Sequence, residues 1–280
     1  MSIRGVNSSF EQLDFIDNLK IRKLSLDEVS SLVVQNDSLR SKDRVPENRI
    51  VLEESFVFKY GQFPGDIFSQ LSKKFNLIVE SLRLMKPGRV DRENIYWRWD
   101  KPGQLGNREL GSSGRARPKP PIVNSYSLEN DDLPALERIY KSLSKQPEIH
   151  RIARQRFNEA TQRADPEDTI IDLCIALEAL LSEGSGSLSY KLGMRAAILV
   201  GNTIEEKRYI VNLISDAYSM RSAFVHGNSS TTSQKLKLSL SDLSKEFLET
   251  SRRTLKAALE YQINNKKTIN PKDIDDMLLS

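Results

Sequence analysis

The chain has 280 residues, of which 38% are hydrophobic and 29% charged; this is a globular composition, long enough for two modest domains. A formal net charge of +4 permits an anionic partner without requiring one. The single cysteine, Cys174, excludes an internal disulfide and a multi-cysteine zinc site, and two histidines, His150 and His226, exclude a multi-histidine metal centre.

No metal and no other cofactor is expected. The opening residues have no apolar core of signal-peptide length, and no run approaches the roughly 18 apolar residues of a membrane span. The expectation is a cytoplasmic protein with no membrane contact.

Residues 1–128 read as a mixed, strand-rich α+β domain. Apolar positions alternate imperfectly around residues 15–24, and Ser25-Leu-Asp-Glu28 resembles a capping box opening a short helix. Ile50, Leu52, Phe56 and Phe58 recur at period two and predict a strand within residues 49–60. Asp66 is placed as the cap of a helix carrying Ile67, Leu71, Phe75, Ile78 and Leu82 at helical spacing.

Ile95, Trp97 and Trp99 alternate, and Ile122, Val123 and Tyr126 suggest another strand. The paired tryptophans offer stacking surface for bases, although a half-buried strand explains them equally. Residues 101–121, KPGQLGNRELGSSGRARPKPP, read as a loop or insertion. The segment is basic, with Arg115, Arg117 and Lys119 as candidate RNA-phosphate contacts. A solvated linker is the plainer reading and carries more weight.

From residue 131 the pattern is helical. Helices are predicted over 131–144 and 148–163, and Asp165-Pro166-Glu167-Asp168 opens the next with an N-cap, a first-turn proline and two acids. Cys174 lies in the apolar run of that helix and reads as a buried, inert thiol. Gly184 and Gly186 break it, and residues 188–200 form a fourth helix stopped by Gly201-Asn202. Thr203 and Glu206 set a capping box for a fifth, whose stripe of Ile210, Ile214, Ala217 and Tyr218 leads to Arg221. A polar turn over 228–233 precedes a last long helix. The all-α domain is bounded at 131–265, with 266–280 as a tail.

The fifth helix ends Tyr218-Ser-Met-Arg221-Ser222-Ala-Phe-Val-His226-Gly227. Five positions separate Arg221 from His226, about 140° around and about 7.5 Å along an ideal helix. One chain's pair therefore converges only if the helix end distorts. The negative end of the helix dipole favours the imidazolium of a terminal histidine, and the arginine fork suits phosphate oxygens. RNA cleavage by its own 2′-hydroxyl needs a proton acceptor, a proton donor and a cation at the phosphorus. It needs no metal, because the substrate carries the nucleophile. One histidine cannot act as base and acid at the same moment, so two copies sharing a cleft are expected. The spacing by itself favours the plainer reading, a chance pairing in which the histidine only caps carbonyls.

Several pieces in order carry a resemblance: Arg156-Phe157 with Ala160; Asp168 and Asp172 leading into IALEALL; Tyr190-Lys191-Leu192 with Arg195-Ala196; and AYSMRSAFVHG. This set resembles the Apea-like branch of the HEPN (higher eukaryote and prokaryote nucleotide-binding) superfamily, over residues 131–265. The resemblance implies a helical bundle that dimerises through the motif helices. It also implies ribonuclease activity, a hydrolase-class cleavage of RNA (tRNA among the candidates), as a toxin or in antiviral defence with an antitoxin or defence-system partner. The family's arginine and histidine map onto Arg221 and His226.

An acidic residue on the IALEALL helix supports the family's site, and Glu178 is preferred to Asp172. Ser222 departs from the Asn, Asp or His that follows the arginine in many relatives. Tyr218 is placed either against RNA or, preferably, in the core. Arg195 is placed as a phosphate ligand or, by preference, in a structural ion pair, with Glu178 as its named partner. The rival expectation is a non-catalytic RNA- or nucleotide-binding scaffold module.

Overall fold

The computed structural model describes residues 2–4, 6–8, 11–16, 19–23, 50–54, 64–92, 95–97, 111–113, 126–146, 148–183, 188–227 and 233–277. The chain is α+β and mostly helical, and it divides into two compact units. One comprises residues 1–82 and 88–140, the other residues 83–87 and 141–280.

The first unit contains β1 (Ser2–Arg4), β2 (Val6–Ser8), β3 (Gln12–Ile16), β4 (Leu19–Lys23), β5 (Ile50–Glu54), most of α1 (Pro64–Met85), β6 (Asp91–Arg92), β7 (Ile95–Trp97), β8 (Gly111–Ser113) and β9 (Tyr126–Leu128). Five strands form one sheet in the order β3-β4-β5-β1-β6, all neighbours antiparallel. The imperfect alternation around residues 15–24 resolves as the β3–β4 pair, with a register shift between Asp14 and Ile16. Ile21 stands opposite Leu52, and Leu19, Ile21, Ile50 and Leu52 are buried on the pleat's inner face.

Helix α1 begins at Pro64 and not after a cap at Asp66, since proline's fixed φ suits the first helical turn. Phe75, Ile78, Val79 and Leu82 supply its buried stripe, and Lys74 pairs with Glu54 of β5 at 2.8 Å. Three residues of the expected loop, Gly111–Ser113, instead form β8 and pair with Ile95–Trp97. The predicted capping box at Ser25, and Phe56, Phe58, Trp99, Ile122 and Val123, lie outside the described residues, as do Arg115, Arg117 and Lys119.

A 3-10 turn (Asn130–Asp132) leads into α2 (Leu133–Lys145), which the two units share at residue 140. The second unit then consists of α3 (Arg151–Ala160), α4 (Pro166–Leu181), α5 (Leu188–Val200), α6 (Ile204–Val225), α7 (Leu240–Asn265) and α8 (Pro271–Asp276). Helix α4 is central: Ile170, Leu173, Cys174, Ala176, Leu177 and Leu181 are all fully buried, as expected of a helix apolar on nearly every side. Asp165 caps it, accepting from the Glu167 N–H at 2.9 Å. Gly193 lets α5 and α6 approach closely, because a Cβ there would stand 3.3 Å from Val211 Cα.

Thr203 caps α6, accepting from the Glu206 N–H at 3.1 Å, while the Glu206 carboxylate reaches back one residue further than a capping box requires, to the Asn202 N–H at 2.9 Å. Residues 266–280, expected as a tail, hold the capped helix α8, whose Ile274 is fully buried. No helix among the described residues is long and apolar enough to cross a membrane.

His150 precedes α3 in the left-handed conformation, at φ 45. Its Nε2 is buried without a hydrogen-bond partner, and burial, then the neighbouring Arg154, lowers its pKa to about 4. The folded protein therefore binds this proton less readily than the unfolded chain. Stability from this group is complete above the ordinary histidine pKa of about 6.5 and falls as pH drops towards 4, by on the order of 3 kcal/mol. Urea unfolding across that range should show a wild-type loss that His150→Asn, which tolerates the left-handed backbone, reduces. Equal acid sensitivity in the two proteins would refute the assignment.

Candidate functional site

Helix α6 carries the two motif residues and remains regular through Val225. Its apolar positions Ile210, Leu213, Ile214, Ala217 and Met220 are buried, which fixes the rotation of the helix. Arg221 is thereby aimed at α4, where its Nη1 donates to Glu178 Oε1. The Tyr218 hydroxyl donates to the same oxygen at 3.1 Å and lies 3.2 Å from the Cys174 carbonyl. The Arg221 guanidinium sits 5.8 Å from the centroid of the Tyr218 ring. Glu178, Tyr218 and Arg221 therefore form one half-buried cluster joining α4 to α6.

Electrostatics assigns each member a protonation state. Burial works against charge on Arg221, but the hydrogen bond and charge of Glu178 more than offset it, and its pKa ends above the ordinary value. Arg221 is a permanent cation. Burial, followed by Cys174 and Glu178, pushes the Tyr218 hydroxyl well above the usual phenol range, so Tyr218 remains a neutral donor and cannot act as a base. Burial likewise raises the Cys174 thiol, which is inert.

His226 is the C-cap of α6, with φ −91 and ψ 7, and its N–H donates to the Ser222 carbonyl at 3.1 Å. Gly227 follows at φ 74, a conformation open to glycine, and ends the helix. The imidazole is exposed and bonds to no other described residue. Because the helix end does not distort, Arg221 and His226 keep different faces. The guanidinium is held against α4 and the imidazole is presented to solvent.

No protein-family model, curated protein or solved structure matches the chain.

The other sequence candidates separate into distinct places. Asp172, 3% exposed, faces away from the cluster and accepts from Arg163 Nε at 2.8 Å and Arg156 Nη1 at 3.2 Å, tying α4 to α3. Arg195 does not meet Glu178. It forms a two-pronged pair with Asp275 at 2.8 and 2.7 Å and donates to the Leu181 carbonyl at 2.7 Å, clasping α8 to the end of α4. At 7% exposure its role here is structural. Ser222 is exposed and lines an open depression with Leu188, Ser189, Ser215, Tyr218 and Ser219.

Sequence reasoning missed Asp216. It is buried on α6 among apolar neighbours, and it accepts from the main-chain N–H groups of residues 235 and 236. Its signal was an acid standing inside the apolar stripe of Ile210, Leu213, Ile214 and Ala217.

Proposed function

We propose that this protein is a metal-independent endoribonuclease of the HEPN type, working as a homodimer. The observation that carries the reading is the end of α6: a cation fixed by Glu178 and Tyr218, followed five residues later by a solvent-facing histidine. The 2′-hydroxyl attacks phosphorus, forming the P–O2′ bond and breaking the P–O5′ bond. One His226 takes the 2′ proton, and His226 of a second copy delivers a proton to the leaving 5′-oxygen. Arg221 stabilises the charge on the phosphorane. A pair of such helices meeting at His226 supplies both proton-transfer groups without bending either helix. The cellular setting that accompanies the HEPN resemblance is toxin activity or antiphage defence, under control of an antitoxin or a defence-system partner.

The Arg221–Glu178 ion pair also favours a second reading. A guanidinium already neutralised by a carboxylate can simply tie α4 to α6 in a non-catalytic RNA- or nucleotide-binding scaffold. The two readings separate when wild type, Arg221→Ala and His226→Ala are incubated with total RNA and tRNA in EDTA. The nuclease reading requires cleavage by wild type alone, accompanied by toxicity on expression that both substitutions relieve. Absence of both cleavage and toxicity in wild type would leave the scaffold.

A further inference from the structure

Asp216 is the one acid between Arg208 and His226, and it is 1% exposed. Burying a carboxylate is costly unless hydrogen bonds take up its charge. Here two main-chain N–H groups do: that of Lys235 is shared between both oxygens at 3.0 and 3.1 Å, and that of Leu236 donates to Oδ2 at 2.8 Å. The loop supplying them is closed on itself. The Ser233 N–H donates to the Leu238 carbonyl, and the Ser233 hydroxyl accepts from the Leu238 N–H, each at 2.9 Å. Residues 233–238 thus form a bracket fastened to α6.

The bracket displays two lysines. Lys235 and Lys237 are exposed, and neither ammonium bonds to another described residue. Lys237 has φ 58, a conformation that glycine adopts freely and a residue with a Cβ does not. Its side chain contributes nothing to a core, so strain at this position points to a task for the ammonium.

The bracket's placement suggests that task. Asp216 precedes His226 by ten residues, about 15 Å along and about 80° around an ideal helix. The bracket therefore flanks the exposed face bearing His226, on the side opposite Tyr218 and Arg221. With Asp216 buried, that face has no exposed carboxylate of α6 between Arg208 and His226. Glu246 of α7 meets this helix at Tyr209, but a cationic flank beside a face to which α6 adds no exposed carboxylate is still complementary to a polyanion running along the helix.

We propose that Lys235 and Lys237, held by the Asp216 bracket, bind the phosphates of single-stranded RNA and lead the strand along α6 to His226. The identity of the polyanion rests on the ribonuclease reading.

The test uses the full chain and a short labelled 2′-O-methyl oligoribonucleotide, which cannot be cut because its 2′-oxygen cannot attack. Anisotropy is followed across a salt series. Wild type should bind, with affinity falling as salt rises. Lys235→Ala/Lys237→Ala should bind about tenfold more weakly at low salt and lose about 0.7 from the log–log salt slope for each lysine. Lys237→Gly should bind more weakly yet melt at or above the wild-type temperature, a combination that a purely structural lysine would not produce.

No binding by wild type, or unchanged affinity and slope in the double variant, would overturn the proposal. So would stronger competition by polyglutamate than by unlabelled single-stranded RNA, which would indicate an acidic protein partner. Because the probe is not cut, binding and cleavage are read separately. RNA cleavage with unchanged lysine-variant binding would remove only this inference, whereas lysine-dependent binding without cleavage would remove only the nuclease reading.

Discussion

His226→Ala should lower RNA cleavage by about 10²- to 10⁴-fold, the range for loss of a positioned proton-transfer group, while leaving the melting temperature essentially unchanged. The residue is exposed, makes no side-chain bond to a described residue and has a C-cap conformation that alanine adopts easily. Catalysis and folding are therefore separable at this position. Arg221→Ala should remove cleavage as well, but with a stability loss on the order of 1 kcal/mol, because the half-buried Glu178 loses its counter-charge. Arg221→Lys should recover stability better than activity, since an ammonium restores charge but not the planar fork. Activity and circular-dichroism melts on the same preparations measure both effects. A His226→Ala protein of unchanged activity would refute the role given to the imidazole.

Arg195→Ala should do the opposite. It should cost about 3 kcal/mol of stability, because the buried Leu181 carbonyl and Asp275 lose a charged, multiply bonded partner. Cleavage per folded molecule should not change. Asp275→Asn should cost less, about 1 kcal/mol, since the Asp275 side chain is 47% exposed and the arginine keeps its bond to Leu181. Denaturant unfolding of the two variants, paired with activity normalised to folded protein, measures the contrast. A stable but inactive Arg195→Ala protein would return Arg195 to the reaction.

These contrasts show what a sequence makes legible and what it leaves hidden. The Asp165 and Thr203 caps, the extent of α5 and the helical stop at Gly227 were readable because local hydrogen bonding and backbone conformation decide them. Glu178, and not Asp172, pairs with Arg221, although nothing local distinguishes two acids on one helix. The partner of Arg195 was not readable, because Asp275 lies eighty positions away in a stretch too short and polar to suggest a docked helix.

Strand β8 was hidden for a related reason. Gly111-Ser112-Ser113 has turn composition, and only its pairing with Ile95–Trp97 makes it extended. Asp216 was visible as an oddity in an apolar stripe, but its meaning depends on main-chain groups about twenty residues later. In each case the hidden information was a long-range partner, which periodicity and capping do not encode.

The most direct test of the nuclease account is the chemistry of the RNA ends left by wild type in EDTA, mapped beside His226→Ala. The account predicts 2′,3′-cyclic phosphate and 5′-hydroxyl ends from wild type, and neither from the variant. Ends carrying a 5′-phosphate and a 3′-hydroxyl, or cyclic-phosphate ends that persist without His226, would contradict it.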